Sequence, residues 1–259
     1  MAQPYPWLAA ARETIEARVA PPPGFRRVAE SAGSFGAWLR GLPLKPGNPP
    51  VRLFDGRLKA DQSAHYLVLE VDVGPRDLQQ CADAVVRLRA EYLRAASAQD
   101  RISFRFTNGT PARWSAWRDG MRPLVRGNQV TWEKRAEADA SYANFRRYLD
   151  AVFNYAGTAS LARELERVPD PRRIQAGDVF IQPGFPGHAV LVVDVAEDAA
   201  GRRAALLVQS YLPAQDIELL RNPATHESPW YIIDGDGPLV TPEWRFPPGS
   251  LRRIGDSAR

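Results

Sequence analysis

The chain carries one cysteine, Cys81, and three histidines, His65, His188 and His226. A lone thiol cannot close an intrachain disulfide. With no HxH or HxxxH pair beside it, it does not make a zinc site either, so neither a metal nor a cofactor is expected. The chemistry left to such a thiol is nucleophilic. It needs a base within hydrogen-bond reach to become a thiolate, and the base needs a partner that holds its tautomer. His188 opens the apolar run His188 to Val195, just after the loop Pro183-Gly184-Phe185-Pro186-Gly187, whose small residues leave room for a ligand beside Gly187. Gln209 lies near the end of the run Ala204 to Tyr211, which returns after a turn at Glu197 to Arg202. The two side chains can therefore be neighbours across a hairpin. The alternative is a histidine that caps a buried strand beside a hydrogen-bonded core glutamine.

Cys81 falls on a helical pattern. Leu78, Cys81, Val85, Leu88 and Tyr92 recur at spacings of three and four, which predicts a helix from Pro75 to about Arg94, with Asp77 as the negative charge at its N-terminus. Cys81 then sits about two turns inside the helix on its apolar stripe. A cysteine placed there is a small buried hydrophobe as readily as a nucleophile. Arg87 and Glu91, spaced i, i+4 on the same helix, read as a surface salt bridge or as polar lining for a carboxylate-bearing ligand. Asn108 is a further binding candidate, although Asn108-Gly109 is a turn signal in its own right. Trp114, Trp117, Trp132 and Trp230 read as core more readily than as sugar platforms.

The elements around these residues fall into two halves. Tyr5 to Val19 and Ser34 to Leu42 suit short helices, and Pro21-Pro22-Pro23-Gly24 ends the first. Val51 to Phe54 and His65 to Val73 suit strands. Arg101 to Thr107 suits another, with short strands around Gly127-Asn128. Tyr142 to Val168 is the longest helical stretch, with Gly157 able to kink or divide it. Gly177 to Ile181, His188 to Val195 and Ala204 to Tyr211 read as antiparallel neighbours, followed by Trp230 to Ile233 and a Pro-rich tail. The pattern predicts an α+β fold, with N-terminal helices packed on a C-terminal antiparallel sheet. It is read as one unit over residues 1–259, with a helical extension over about 1–50 and a core over about 66–255.

At 259 residues and 44% hydrophobic composition the chain can bury a sizeable core. The net charge of +4 comes from scattered arginines without a Lys/Arg run, so nucleic-acid binding is not expected. No stretch approaches the length of a membrane span, and the start of the chain does not read as a signal peptide.

Two resemblances add to this. The series Gly177-Asp178-Val179-Phe180-Ile181, Gly187-His188-Ala189-Val190-Leu191 and Leu206-Leu207-Val208-Gln209-Ser210-Tyr211 resembles the core of the NlpC/P60 and related papain-like hydrolases. The resemblance implies His188 as base, Gln209 as its orienting residue and Cys81 as nucleophile, in the chain order Cys, His, polar residue. It also implies a peptide or cell-wall ligand. A rival placement puts the family's Cys-Ser-Gly motif at Gly157-Thr158-Ala159-Ser160-Leu161, where there is no cysteine. On that placement the domain is a degenerate, non-catalytic envelope binding module. From Leu53 to Arg253 the chain also resembles a bacterial family known as domain of unknown function 4846. The resembling segments include Phe106-Thr107-Asn108-Gly109, Tyr155-Ala156-Gly157-Thr158 and Gln209-Ser210-Tyr211-Leu212-Pro213. That family brings no activity, and it implies a periplasmic or extracytoplasmic location.

Overall fold

The run Ala189-Val190-Leu191-Val192-Val193 is apolar at every position, as expected of a strand covered on both faces. In the computed structural model, which describes residues 13–225, 227–235 and 237–255, it is the centre of the main sheet. The first part of the chain forms α1 (Ile15–Arg18), β1 (Phe25–Arg27), α2 (Phe35–Arg40), β2 (His65–Val68) and α3 (Cys81–Ala95). Two hairpins follow, β3 (Ser103–Arg105) with β4 (Pro111–Arg113) and, after α4 (Trp114–Arg118), β5 (Met121–Arg126) with β6 (Gln129–Lys134). Next come α5 (Tyr142–Tyr155), α6 (Thr158–Glu164), β7 (Leu165–Arg167), β8 (Val179–Gln182), β9 (His188–Asp198) and β10 (Arg203–Gln209). The chain ends in β11 (Glu218–Leu220), β12 (Tyr231–Ile233), β13 (Leu239–Val240), β14 (Arg245–Phe246) and β15 (Leu251–Ile254).

Nine of these strands make one antiparallel sheet in the order β2-β11-β10-β9-β8-β15-β7, with β1 also on β9 and β12 also on β10. Side-chain alternation along β9 separates two cores. Ala189, Leu191 and Val193 join the larger cluster, which takes in Val85 and Leu88 of α3 and Phe145 and Leu149 of α5. Val190, Val192 and Val195 join Phe180, Leu207, Tyr231 and Phe246 on the other side. The three segments expected to be neighbours are neighbours, as β8, β9 and β10.

The fold departs from the expected layout in several places. Strands are not confined to the C-terminal half, because β1 and β2 enter the same sheet. The expected strand at 51–54 makes only isolated bridges, Arg52 with Leu58 and Leu53 with Gln215. The stretch from Tyr142 divides where Ala156 and Gly157 turn extended, and it ends in the strand β7 rather than in helix. The Pro-rich tail supplies β13, β14 and β15, and β15 bridges β8 and β7. Of the helix expected at 5–19, residues 5–12 lie outside the described residues, and α1 occupies Ile15–Arg18. Among the described residues no helix is long and apolar enough to cross a membrane.

One buried ion cluster ties the N-terminal elements to the sheet. The fully buried Asp194 carboxylate of β9 accepts from Arg27 Nε at 2.7 Å and from Val195 N at 2.9 Å, and it also pairs with the buried Arg40. Removing one member of a buried ion pair strands the others in a low-dielectric interior. Asp194→Ala is expected to cost about 3–5 kcal/mol in denaturant unfolding. Arg135→Ala, which breaks the exposed pair with Glu133, is expected to cost less than about 1 kcal/mol.

Candidate functional site

The helix that carries Cys81 begins at Cys81 itself, with Gln80 as its N-cap. The expected position two turns inside the helix is therefore corrected: the thiol is at the first helical residue. The reason is where the polar groups of the preceding segment go. Asp77 does not cap a helix; its Oδ1 accepts from Ala214 N at 2.7 Å and from Gln80 Nε2 at 3.2 Å. Asp83 takes over the N-terminal role and accepts from Gln80 N at 3.1 Å. Ser210 Oγ donates to Gln79 O at 2.8 Å. Arg87 reaches back to Gln79 Oε1 at 2.8 Å and to Asp72 Oδ1 at 2.9 Å. Leu78 keeps the helical spacing of the apolar residues although it lies before the helix. Cys81 is half-buried, and the backbone amides of Ala189, Ala82 and Cys81 itself favour its thiolate, against the effect of burial. The nucleophile candidate thus abuts the residue that follows His188.

His188 is the first residue of β9 and Gln209 the last of β10. The register pairs Val208 with Leu191 and Leu207 with Val192, so His188 and Gln209 are diagonal neighbours, within reach of long side chains. His188 Nε2 and Gln209 Oε1 are 2.8 Å apart. The direction of that bond follows from the other end of the amide. Gln209 Nε2 faces two carboxylates, Glu218 Oε1 at 2.9 Å and Glu243 Oε2 at 2.6 Å. Only an N–H can point at those oxygens, so Oε1 must face the ring and Nε2 of His188 must carry the proton. A neutral His188 then has its lone pair on Nδ1, the form that accepts a proton. Lys59 Nζ closes the network, at 2.8 Å from Glu218 Oε1 and 2.6 Å from Glu243 Oε2, and Gln215 Nε2 adds a bond to Glu218 Oε1 at 3.0 Å. Aromatic rings enclose the imidazole: Tyr211 at 4.9 Å, Trp244 at 5.2 Å and Phe246 at 5.8 Å between centroids. Trp244 is held in place by its Nε1–H on Gln182 Oε1 at 3.2 Å.

Cys81 and His188 line one cavity of about 500 Å³ together with Tyr211, Trp244 and the loop from Gly184 to Gly187. Gly187 serves that loop by its lack of a side chain. A Cβ there would lie 2.5 Å from Gly184 O and 2.9 Å from Gln182 O, too close for any other residue without moving backbone. Gly157 and Thr158, the rival location of the nucleophile, line the same cavity. Gln209 stands behind His188, buried. The remaining expected binding residues lie elsewhere. Arg87 and Glu91 are both fully buried, not on the surface, and their ion pair at 2.8 Å belongs to the support of α3. Asn108 is exposed on the β3–β4 turn and donates to Asn128 O at 2.9 Å. None of these three lines the cavity. The tryptophans Trp114, Trp117 and Trp230 are core residues. Lys59, Glu218, Glu243 and Trp244 were missed in sequence. One signal was available for Glu218, a carboxylate inside the apolar run Ile217-Glu218-Leu219-Leu220.

Burial sets the charge states. It pushes His188 down to about 4, although the Gln209 bond works the other way. Burial, and then the neighbouring Asp83, push the Cys81 thiol up to about 11. Burial also raises Asp83 to about 8 and holds Glu218 above the usual carboxylate range despite Lys59. At neutral pH the resting pair is a thiol and a neutral imidazole, not a thiolate and an imidazolium. Among the described residues no group of three or more His, Cys, Asp or Glu side chains is arranged to hold a metal ion.

A family model described as domain of unknown function (4846) matches residues 15–253, and the chain belongs to that family. No curated protein and no solved structure matches it.

The network makes a spectroscopic prediction. ¹⁵N spectra of the wild-type protein should show His188 with a protonated Nε2 and a bare Nδ1 at neutral pH, and the double variant Glu218→Gln with Glu243→Gln should lose that preference. Because the folded pKa lies below the ordinary 6.5, stability contributed by His188 is present above 6.5 and is lost as pH falls toward 4. His188→Gln should flatten that part of the stability profile. A wild-type His188 that titrates at its ordinary value would contradict the assignment.

Proposed function

Taking that family membership as the starting point, we propose that this chain is a cysteine hydrolase acting on a peptide or a related amide, with Cys81 as nucleophile, His188 as base and Gln209 as the residue that orients it. The observation that carries the reading is the His188–Gln209 bond, with its direction imposed by Glu218 and Glu243, beside a helix-terminal cysteine in the same cavity. The fold reading that goes with it is a papain-like core, and the support for that is the chain order of the three residues and a cysteine at the start of a helix packed on the sheet.

In this mechanism substrate binding displaces water from the cavity. His188 Nδ1 takes the proton of the Cys81 thiol as the sulfur attacks the substrate carbonyl carbon. The carbonyl oxygen gains the electron pair, and the backbone N–H groups at the start of α3, whose residues line the same cavity, are the donors this mechanism assigns to it. As the C–O double bond re-forms, the C–N bond breaks and the imidazolium passes its proton to the leaving nitrogen. A water molecule, deprotonated by the same Nδ1, then attacks the thioester. The acid leaves, and the proton returns to sulfur. With the thiol near 11 and the imidazole near 4, the pair is not ionised before substrate arrives, so the proton moves uphill and only as the sulfur attacks.

A second reading is favoured by the same thiol. Burial holds Cys81 in its protonated form, which suits a non-catalytic envelope binding module using this cavity. The two readings separate on turnover. A panel of acyl p-nitroanilides and peptide amides should be cleaved by the wild-type chain. Cys81→Ala should abolish cleavage, and His188→Ala should lower it about 10²–10⁴-fold. Binding of a panel member that is never cleaved, and is unaffected by Cys81→Ala, would support the module instead.

A further inference from the structure

The charges around the cavity speak to the substrate. Asp77 lines it as a carboxylate, Asp83 lines it as a group that burial keeps largely protonated at neutral pH, and among the described residues no Lys or Arg lines it, in a chain whose formal net charge is +4. Lys59 lies behind Gln209 and is taken up by Glu218 and Glu243. The Asp83 side chain is buried, and its Oδ1 has no hydrogen-bond partner among the described residues. An anionic side chain entering this cavity would give up its hydration without meeting a Lys or Arg side chain. The rim is of another kind. Phe185 is fully exposed, on the loop before His188, and Leu212 is 60% exposed, on the loop after β10; both line the cavity. Large apolar side chains held out to solvent on two loops that flank a reactive cavity offer a surface for an apolar group of the substrate.

We infer that the cavity takes an acyl group with an apolar side chain and no carboxylate near the scissile bond, so that acidic peptides are excluded. The inference rests on the hydrolase reading above and narrows it. Cell-wall stem peptides, which carry free carboxylates close to their amide bonds, are poor matches, whereas neutral or basic apolar peptides fit.

Alkylation of the native full-length chain tests this, since Cys81 is its only thiol. Iodoacetamide and iodoacetate differ in charge and little in size. Their rates at Cys81, followed by intact mass at mildly alkaline pH, are compared with their rates at N-acetylcysteinamide, which cancels the thiolate fraction. The preference for iodoacetamide should exceed that of the small thiol by about tenfold or more, and Asp77→Asn should reduce the excess. N-benzyl iodoacetamide should label faster than iodoacetamide, and Phe185→Ala and Leu212→Ala, both changes at exposed side chains, should remove that advantage. A charge preference equal to that of the small thiol, or no advantage for the benzyl reagent, overturns the inference and leaves the hydrolase reading standing. A native thiol inert to all three reagents, but labelled after denaturation, overturns the hydrolase reading and the inference with it.

Discussion

The orientation of one buried amide governs the rest of the site. Gln209 lies between a ring and two carboxylates, and of the two ends of its amide only the N–H end can donate to them. Its oxygen is thereby committed to His188, the His188 proton to Nε2, and the lone pair to Nδ1. Lys59 makes the arrangement tolerable, since two carboxylates drawn together in a buried place need a cation between them. Three distant stretches of chain meet there: the loop at Lys59, the strand β11 at Glu218 and the β13–β14 turn at Glu243. A pairing that long in sequence orders only when the whole sheet is assembled, so the tautomer of His188 is a property of the completed fold.

The other half of the site depends on a helix start. Cys81 would be a core side chain if α3 began where the apolar spacing begins. It begins later because Asp77, Gln79 and Asp72 are drawn into bonds with Ala214, Ser210 and Arg87. Arg87 and Glu91 thus support the position of the thiol from within the core without touching the cavity. The two halves meet in the cavity that Cys81 and His188 both line.

What was legible in sequence follows the same division. Strands β8, β9 and β10 and the pairing of His188 with Gln209 were readable because period-two and continuous apolar runs mark buried strands. Gly157 was readable as a division point in the long helical stretch. The start of α3 was not, since Leu78 and Cys81 keep helical spacing on either side of the true boundary, and capping competition depends on partners far along the chain. The burial of Arg87 and Glu91 was hidden for a related reason: an i, i+4 ion pair looks the same in sequence whether it faces water or a core. Glu243 and Trp244 were hidden in a Pro-rich tail whose short strands carry no periodic signal.

The resting state of Cys81 and His188 is the property on which the site chemistry turns. With a single cysteine, ¹³C labelling at cysteine Cβ gives one resonance, which can be followed through a pH titration of the native protein. The expected result is a protonated thiol at neutral pH, with the thiolate shift appearing only as pH approaches about 11, together with cleavage activity that Cys81→Ala removes. A thiolate already present at neutral pH and lost in His188→Ala would contradict it, because the pair would then rest as an ion pair.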